Sequence, residues 1–401
     1  MSDNHRKFIL FDDIHRDHLL PFAFIRPVSE IRIGILTIRE KWEKWTGYPF
    51  SYFTRDYLQE KYPLVSGDEN ILINSSVTPN PALIEEILNL GIGEVLVKEN
   101  LMIAGCLDRP ALEIFTGEVP EGYSIKQVLS EFVHISRLWH IFRLNGNEVR
   151  SDFALLTSER TSQPVSSTNN LINPGNIFVE GGAKLEYVTI NASSGPVYIG
   201  RNSEIMEGSV IRGPFALGEG AIVKMGARIY GDTTIGPYSK VGGEVTNSVM
   251  MGFSNKVHEG YLGNSVIGEW CNIGAGSNTS NLKNNYNLIK LWDYAHGKEI
   301  DTGLQFCGLF MGDYSRCGIN TMFNTGTVVG VSANIYGSGY PGSFIPSFSW
   351  GGAAGFETYR LGKAIETIQT GLTLQQLEIT EIDRKIINRV FALTGQYRKS
   401  A

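Results

Sequence analysis

From Ile199 onward the apolar positions of this chain fall into a rhythm of six. Ile199, Ile205, Ile211, Leu217, Val223, Ile229, Ile235 and Val241 are all aliphatic, and glycine follows several of them, at Gly200, Gly218, Gly236 and Gly242. The rhythm resumes at Tyr261, Ile267, Ile273 and Thr279, and again at Met311, Cys317, Phe323, Val329 and Ile335. A helix turns each sixth residue away from a shared face, and a flat strand repeats every two. Period six suits a chain that runs a short straight side, turns and repeats, stacking its aliphatic residues in a central column. A solenoid of short strands is the expected result.

Two stretches interrupt the rhythm. Residues 241–261 run out of phase and carry Asn255-Lys256-Val257-His258-Glu259-Gly260, while residues 280–303 are polar and carry Lys283, Tyr286, Lys290, Trp292 and His296. Insertions in a solenoid emerge as loops on one face, so both are expected to leave the coil. A loop as long as the second is usually functional or disordered, and its aromatic and basic content favours function.

The remaining segments carry other patterns. Residues 1–150 read as mixed α/β, with strands at 8–11, 71–74, 94–98 and 101–104 and helices at 31–45 and 81–90. The first helix is read from Ile31, Ile35, Ile38, Trp42 and Trp45; the second has Pro81 at its start. Residues 364–397 read as a C-terminal helix, made basic by Arg384, Lys385, Arg389, Arg398 and Lys399. The expected domains are therefore 1–150, 151–352 and 353–401.

Composition narrows the function. Of 401 residues, 42% are hydrophobic and 19% charged, an ordinary globular balance, and the 45 glycines fall mostly after Gly175, as a tight-cornered solenoid requires. A net charge of −6 leaves no footprint for nucleic acid or an anionic membrane, so an anionic ligand needs a local cationic cluster. Cys106, Cys271, Cys307 and Cys317 show no metal-ligand spacing; buried free thiols and no metal are expected. The polar start, residues 1–7, and the lack of any apolar run long enough for a bilayer predict a cytoplasmic protein.

The chemistry centres on His258. Acyl transfer from a thioester to an amine needs a base that works near neutral pH, and imidazole has that pKa unperturbed. Asn272 is a neutral donor and acceptor able to orient an amine, and Gly274 and Gly276 permit backbone N–H groups to approach a developing oxyanion. No protein nucleophile is needed.

The hexad pattern resembles that of the hexapeptide-repeat acyltransferases, which implies a left-handed parallel β-helix and three subunits side by side. Within it, the run from Gly243-Glu244 through Lys256, His258, Tyr261-Leu262-Gly263 and Asn272-Ile273-Gly274-Ala275-Gly276 resembles the acetyltransferase domain of bifunctional amino-sugar-1-phosphate acetyltransferase/uridylyltransferases. The resemblance spans roughly residues 197–337. It implies acetyl-CoA as co-substrate, a small sugar phosphate as acceptor and a homotrimer. It makes His258 the general base, sets Tyr261 and Asn272 against the amino sugar, and puts Ala275 and Gly276 at the thioester. Asn320 falls near the pantetheine arm, and Glu244, Lys256, Asn281 and Lys283 fall on the acceptor side. Leu282 stands where the family has a tyrosine.

The first 150 residues resemble a shortened sugar-phosphate nucleotidyltransferase domain. Leu19 to Pro27 looks like the segment after that family's phosphate loop, and Ser136 to Asn145 like its connector into the β-helix. Asp12-Asp13-Ile14-His15 stands in place of the Gly-rich loop, Val28 in place of a lysine, and Asn74 or Ser75 in place of a metal-binding aspartate. Carboxylates repel a triphosphate, so three readings stay open for this half: nucleotidyl transfer, with Mg²⁺ required only there; sugar-phosphate binding; or a structural prop. A non-catalytic trimeric scaffold is the remaining alternative for the whole chain.

Overall fold

A computed structural model describes residues 6–398; the first five residues and Lys399 lie outside the described part. The chain forms two compact units, the first from Met1–Leu19, Ile25–Ile31 and Leu36–Ser136, the second from Leu20–Phe24, Arg32–Ile35 and Arg137–Ala401. The architecture is the expected one: an α/β region, a left-handed parallel β-helix and C-terminal helices.

The first unit is built on a six-stranded sheet of β1 (Arg6–Phe11), β2 (Phe50–Phe53), β3 (Glu69–Asn74), β4 (Glu94–Lys98), β5 (Leu101–Asp108) and β6 (Ser124–Gln127). Their order is β2-β1-β3-β5-β4-β6, with β5 antiparallel to both neighbours. β1 buries four consecutive residues, Phe8 to Phe11, because it is central and covered on both faces. The helix α1 (Ile38–Thr46) begins later than the apolar spacing from Ile31 suggests. Thr37 and Glu40 form a reciprocal capping box that fixes the start. Upstream, Gly34 has φ +77°, and a Cβ there would meet Asp152 at 2.5 Å. The helix α2 (Pro81–Leu88) is capped by Asn80, as the sequence predicts.

In the second unit three sheets of parallel strands run the length of the coil. Val197, Phe215 and Thr233 pair in register, as do Ile205, Val223 and Val241, each 18 residues from the last. Three hexads thus make one triangular turn, and the aliphatic column lies inside: Ile199, Ile211, Leu217, Val223 and Ile235 are fully buried. Around His258 the coils shorten rather than bulge. Val241 pairs with Lys256 after 15 residues, and Met250 with Ile267 after 17. The expected outward loop at 241–261 is therefore a tightened turn of the solenoid. The phase slip also moves Tyr261 out of the column, where Leu262 stands instead.

The second excursion does leave the coil, between Thr279 and Leu309, and it is ordered. Lys290–Asp293 and Lys298–Asp301 form an antiparallel hairpin. Trp292 stacks on Phe344 at 4.0 Å, and the Tyr294 ring meets Phe344 and Tyr397 edge-on, so these aromatics hold the loop down. The segment read as a connector is the start of α3 (Leu138–Thr157), the longest helix among the described residues. Its buried Asn145 donates to the Asp232 carbonyl (2.9 Å) on the β-helix. The C-terminal helix is two, α4 (Leu361–Thr373) and α5 (Glu381–Leu393), because Thr380 and Asp383 cap a new start. Arg398 folds back over Phe391, 4.1 Å from its ring, rather than facing solvent. Among the described residues no helix is long and apolar enough to cross a membrane. All four cysteines are buried free thiols.

Candidate functional site

Three successive coils carry the residues singled out for acyl transfer. Strand Asn255–Lys256 leads through His258 to Tyr261–Gly263; one coil on, Asn272–Ile273 leads through Ala275 to Asn278–Thr279; the next runs from Arg316–Cys317 through Asn320 to Met322–Phe323. Their corners stack. The Gly276 N–H donates to the Glu259 carbonyl (2.9 Å), and the Asn320 N–H donates to the Ala275 carbonyl (2.7 Å). His258, Ala275, Gly276 and Asn320 thereby form one column of corners, with His258 exposed at one end and Asn272 exposed beside it.

A second group lies on the adjoining sheet. Arg228, Glu244 and Tyr261 are register neighbours on consecutive strands. Arg228 donates to Glu259 at 2.9 Å and lies 3.7 Å from Glu244. That guanidinium holds the Glu259 carboxyl below the usual range. The Asn281 amide donates to the Tyr261 hydroxyl (2.9 Å) and to the Asn264 side-chain carbonyl (2.7 Å). Burial pushes the Tyr261 phenol up, so at neutral pH it stays a hydroxyl that can also donate. Asn278 joins the groups: it accepts from the Tyr261 N–H (2.9 Å) and donates to the Gly276 carbonyl (2.8 Å).

Two expectations change here. Lys283 is not brought to the site, for its ammonium donates to Leu288 within its own loop (3.1 Å). Lys256 is not at the surface but inside the coil, only 2% exposed. The N–H groups of Gly274 and Gly276 are also committed, to Cys317 and Glu259. The Ala275 N–H between them has no backbone partner among the described residues and is the donor this corner can offer.

In the first unit the place of a phosphate loop is filled by a closed polar network. The Asp12 side chain, 2% exposed, accepts from the Val28 N–H (3.0 Å) and the Thr54 hydroxyl (2.6 Å) and pairs with Arg16. Burial pushes its carboxyl up, against the pull of Arg16. Asp13 accepts from Asn74 and meets the His15 ring, both at 3.0 Å. Asn74 turns its amide N–H toward Asp13 and Met102 and accepts from Ser76. These groups do not fit a Mg²⁺ site: the strand-end position holds an amide, and the carboxylates are occupied by protein donors. Cavities of about 570 and 280 Å³ adjoin this network and share Ile14, His15, Asn100 and Leu101.

Residues 8–161 match the sugar nucleotidyl transferase family. A bifunctional sugar-1-phosphate nucleotidylyltransferase/acetyltransferase of Sulfurisphaera tokodaii is 39% identical over 93 residues, 23% of this chain and 23% of that one. The bifunctional protein GlmU of Methanocaldococcus jannaschii is 33% identical over 87 residues, 22% of this chain and 21% of its own length. Each match spans less than a quarter of its curated relative. Among solved structures, an Arabidopsis UDP-N-acetylglucosamine acyltransferase aligns with 59% of this chain and 82% of its own, at 17% identity and a TM-score of 0.24.

The motif search passed over Arg228, Asn264 and Asn278. Arg228 could have been found by coil register, since it stands one turn before Glu244 on the same face. Asn264 and Asn278 carry no such signal, because asparagine is common at solenoid corners for its tolerance of left-handed backbone.

Proposed function

We propose that the β-helix transfers an acetyl group from acetyl-CoA to the amine of an amino-sugar phosphate, with His258 as general base. The observation that carries this is the column of corners, which sets an exposed imidazole beside a backbone N–H donor and two side-chain amides. The amine nitrogen attacks the thioester carbonyl while His258 takes its proton; the oxyanion faces the Ala275 N–H; the C–S bond then breaks, and the thiolate leaves with a proton returned from the imidazolium. Tyr261, Asn272 and Asn281 orient the acceptor, and Asn320 lies along the arm of the donor. The active form is a trimer with the site facing a neighbouring protomer, which agrees with the exposure of Tyr187, Val210, Met225 and Tyr230 on the β-helix.

The test is thiol release from acetyl-CoA with a panel of hexosamine phosphates. Substitution His258→Ala is expected to lower kcat by about 10²- to 10⁴-fold with little change in KM for acetyl-CoA. Turnover of the variant at the parent rate would remove His258 from the mechanism.

The family match over residues 8–161 favours a second reading, a nucleotide or sugar-phosphate site in the first unit. The cavities beside His15 and Asn100 could take such a ligand, whereas the Asp12–Asp13 network opposes nucleotidyl transfer. Calorimetric titration with UTP and Mg²⁺, then with glucosamine 1-phosphate alone, separates the cases. Heat only with the sugar phosphate supports binding without transfer.

A further inference from the structure

We propose that Lys256 is the positioning residue for His258: its buried ammonium clips the corner that carries the imidazole. This inference rests on the reading of His258 as general base. The argument starts from where Lys256 stands. On its face of the coil the inward places are Leu185, Ile205, Val223, Val241, Lys256, Ile273, Cys317 and Ile335. Every other occupant is apolar or a thiol. A charge in such a column costs stability unless its donors are satisfied, and an aliphatic residue would fill the place without that cost.

The donors show what the charge does there. Nζ donates to the Gly242 carbonyl (2.9 Å) and to the carbonyl of His258 itself (2.8 Å). The lysine thus ties the last residue of its own corner to the corner one coil before. Room for it comes from Gly243, at φ +69°, where a Cβ would lie 2.9 Å from Nζ and 2.9 Å from the His258 carbonyl. The shortening of the coil to 15 residues between Val241 and Lys256 brings the two corners together. Burial pushes the ammonium down to about 8. The clip survives that titration, because a neutral amine still carries two N–H donors. With the backbone of His258 held at one point, the ring has its χ angles left to settle and no freedom of the turn beneath it.

Two variants of the full chain test this, Lys256→Met and Lys256→Gln, beside His258→Ala. Methionine fills the column without a donor. Expected are a fall in kcat of about 10- to 100-fold, since small misplacement of a catalytic group costs rates of that order, and an unchanged KM for acetyl-CoA. Its melting temperature should equal or exceed the parent's, because a buried charge is gone. Glutamine keeps an N–H donor on a side chain one atom shorter and should fall between parent and methionine. If Lys256→Met turns over at the parent rate while His258→Ala is impaired, the clip is wrong and the base stands. If His258→Ala is unimpaired, the base reading falls and the clip has no function to serve. If Lys256→Met and Lys256→Gln are equally slow and both melt early, Lys256 is a structural group and the proposal is overturned.

Discussion

Both units bury charge, and they do so in opposite ways. In the first, Asp12 and Arg16 lie side by side, and Asp13, His15 and Asn74 satisfy one another, so the network is closed. In the second, Lys256 is buried with backbone carbonyls as its acceptors, while the residues around it, His258 and Asn272, are exposed. A closed network locks a fold and has no donor to offer a ligand. A charge held by backbone alone, next to exposed polar groups, instead sets geometry for chemistry. The contrast explains why a domain resembling a nucleotidyltransferase can be rigid and yet ill suited to a triphosphate.

The largest effect expected from breaking this contrast is in the first unit. Substitution Asp12→Ala leaves Arg16, only 3% exposed, with Asp17 and Tyr57 as its remaining partners and removes the acceptor for Val28 and Thr54. Breaking a buried pair on one side costs about 3–5 kcal/mol. Chemical denaturation should show that loss in the first unit's transition. Acetyl transfer per folded molecule should be unchanged; a parallel loss of transfer rate would tie the network to the active site.

Next is the linkage of Lys256 to pH. Its folded value, pushed down from 10.5 to about 8 by burial, means that the unfolded chain binds more protons between those limits. Stability attributable to this group is therefore fully present above 10.5 and is lost as pH falls through about 8. The full difference corresponds to about 3 kcal/mol. Compared with Lys256→Met, the parent should gain melting temperature between pH 8 and pH 10, with the gap widest at pH 7. A constant gap would mean that the lysine is not charged at pH 7.

How much of this was legible depends on whether a residue's neighbours are near in sequence. The column could be read because each coil repeats the same local demand, an aliphatic residue at the sixth place. The slip near His258 could not be placed by counting. Shortened coils conserve the inward side chains without saying which residue was dropped, so Tyr261 was put where Leu262 belongs. In α3, Asn145, Glu148 and Asp152 recur at helical spacing and look solvent-facing, yet all three are buried. Gly34 and Ile35 donate to Asn145 and Asp152 across more than a hundred residues, a partnership that local patterns do not carry. Lys256 was legible as a motif member and illegible as a core residue for the same reason.

A smaller effect tests whether the exposed side of the contrast is as open as it looks. Tyr261→Phe removes the acceptor for Asn281 and nothing else of size. One hydrogen bond of this kind contributes about 1 kcal/mol, or about fivefold. If the phenol orients the acceptor, that factor should appear in KM for the amino-sugar phosphate and not for acetyl-CoA. A change confined to acetyl-CoA would move Tyr261 to the donor side.

The smallest effect concerns Glu259, the neighbour of His258. Its carboxylate is 72% exposed and pairs with a half-exposed Arg228, so water and salt screen the interaction strongly. The pair still spans two coils, from the strand at Arg228 to the corner at Glu259, and so lies across the mouth of the proposed acceptor site. Glu259→Gln frees the guanidinium toward an incoming phosphate while leaving the backbone carbonyl that receives the Gly276 N–H. The expected result is an unchanged melting temperature and a fall in KM for the phosphorylated acceptor of about twofold at low salt, vanishing at high ionic strength. An increase in KM would mean that Glu259 itself contacts the acceptor. The exposed ion pair would then belong to substrate recognition rather than holding Arg228 in reserve.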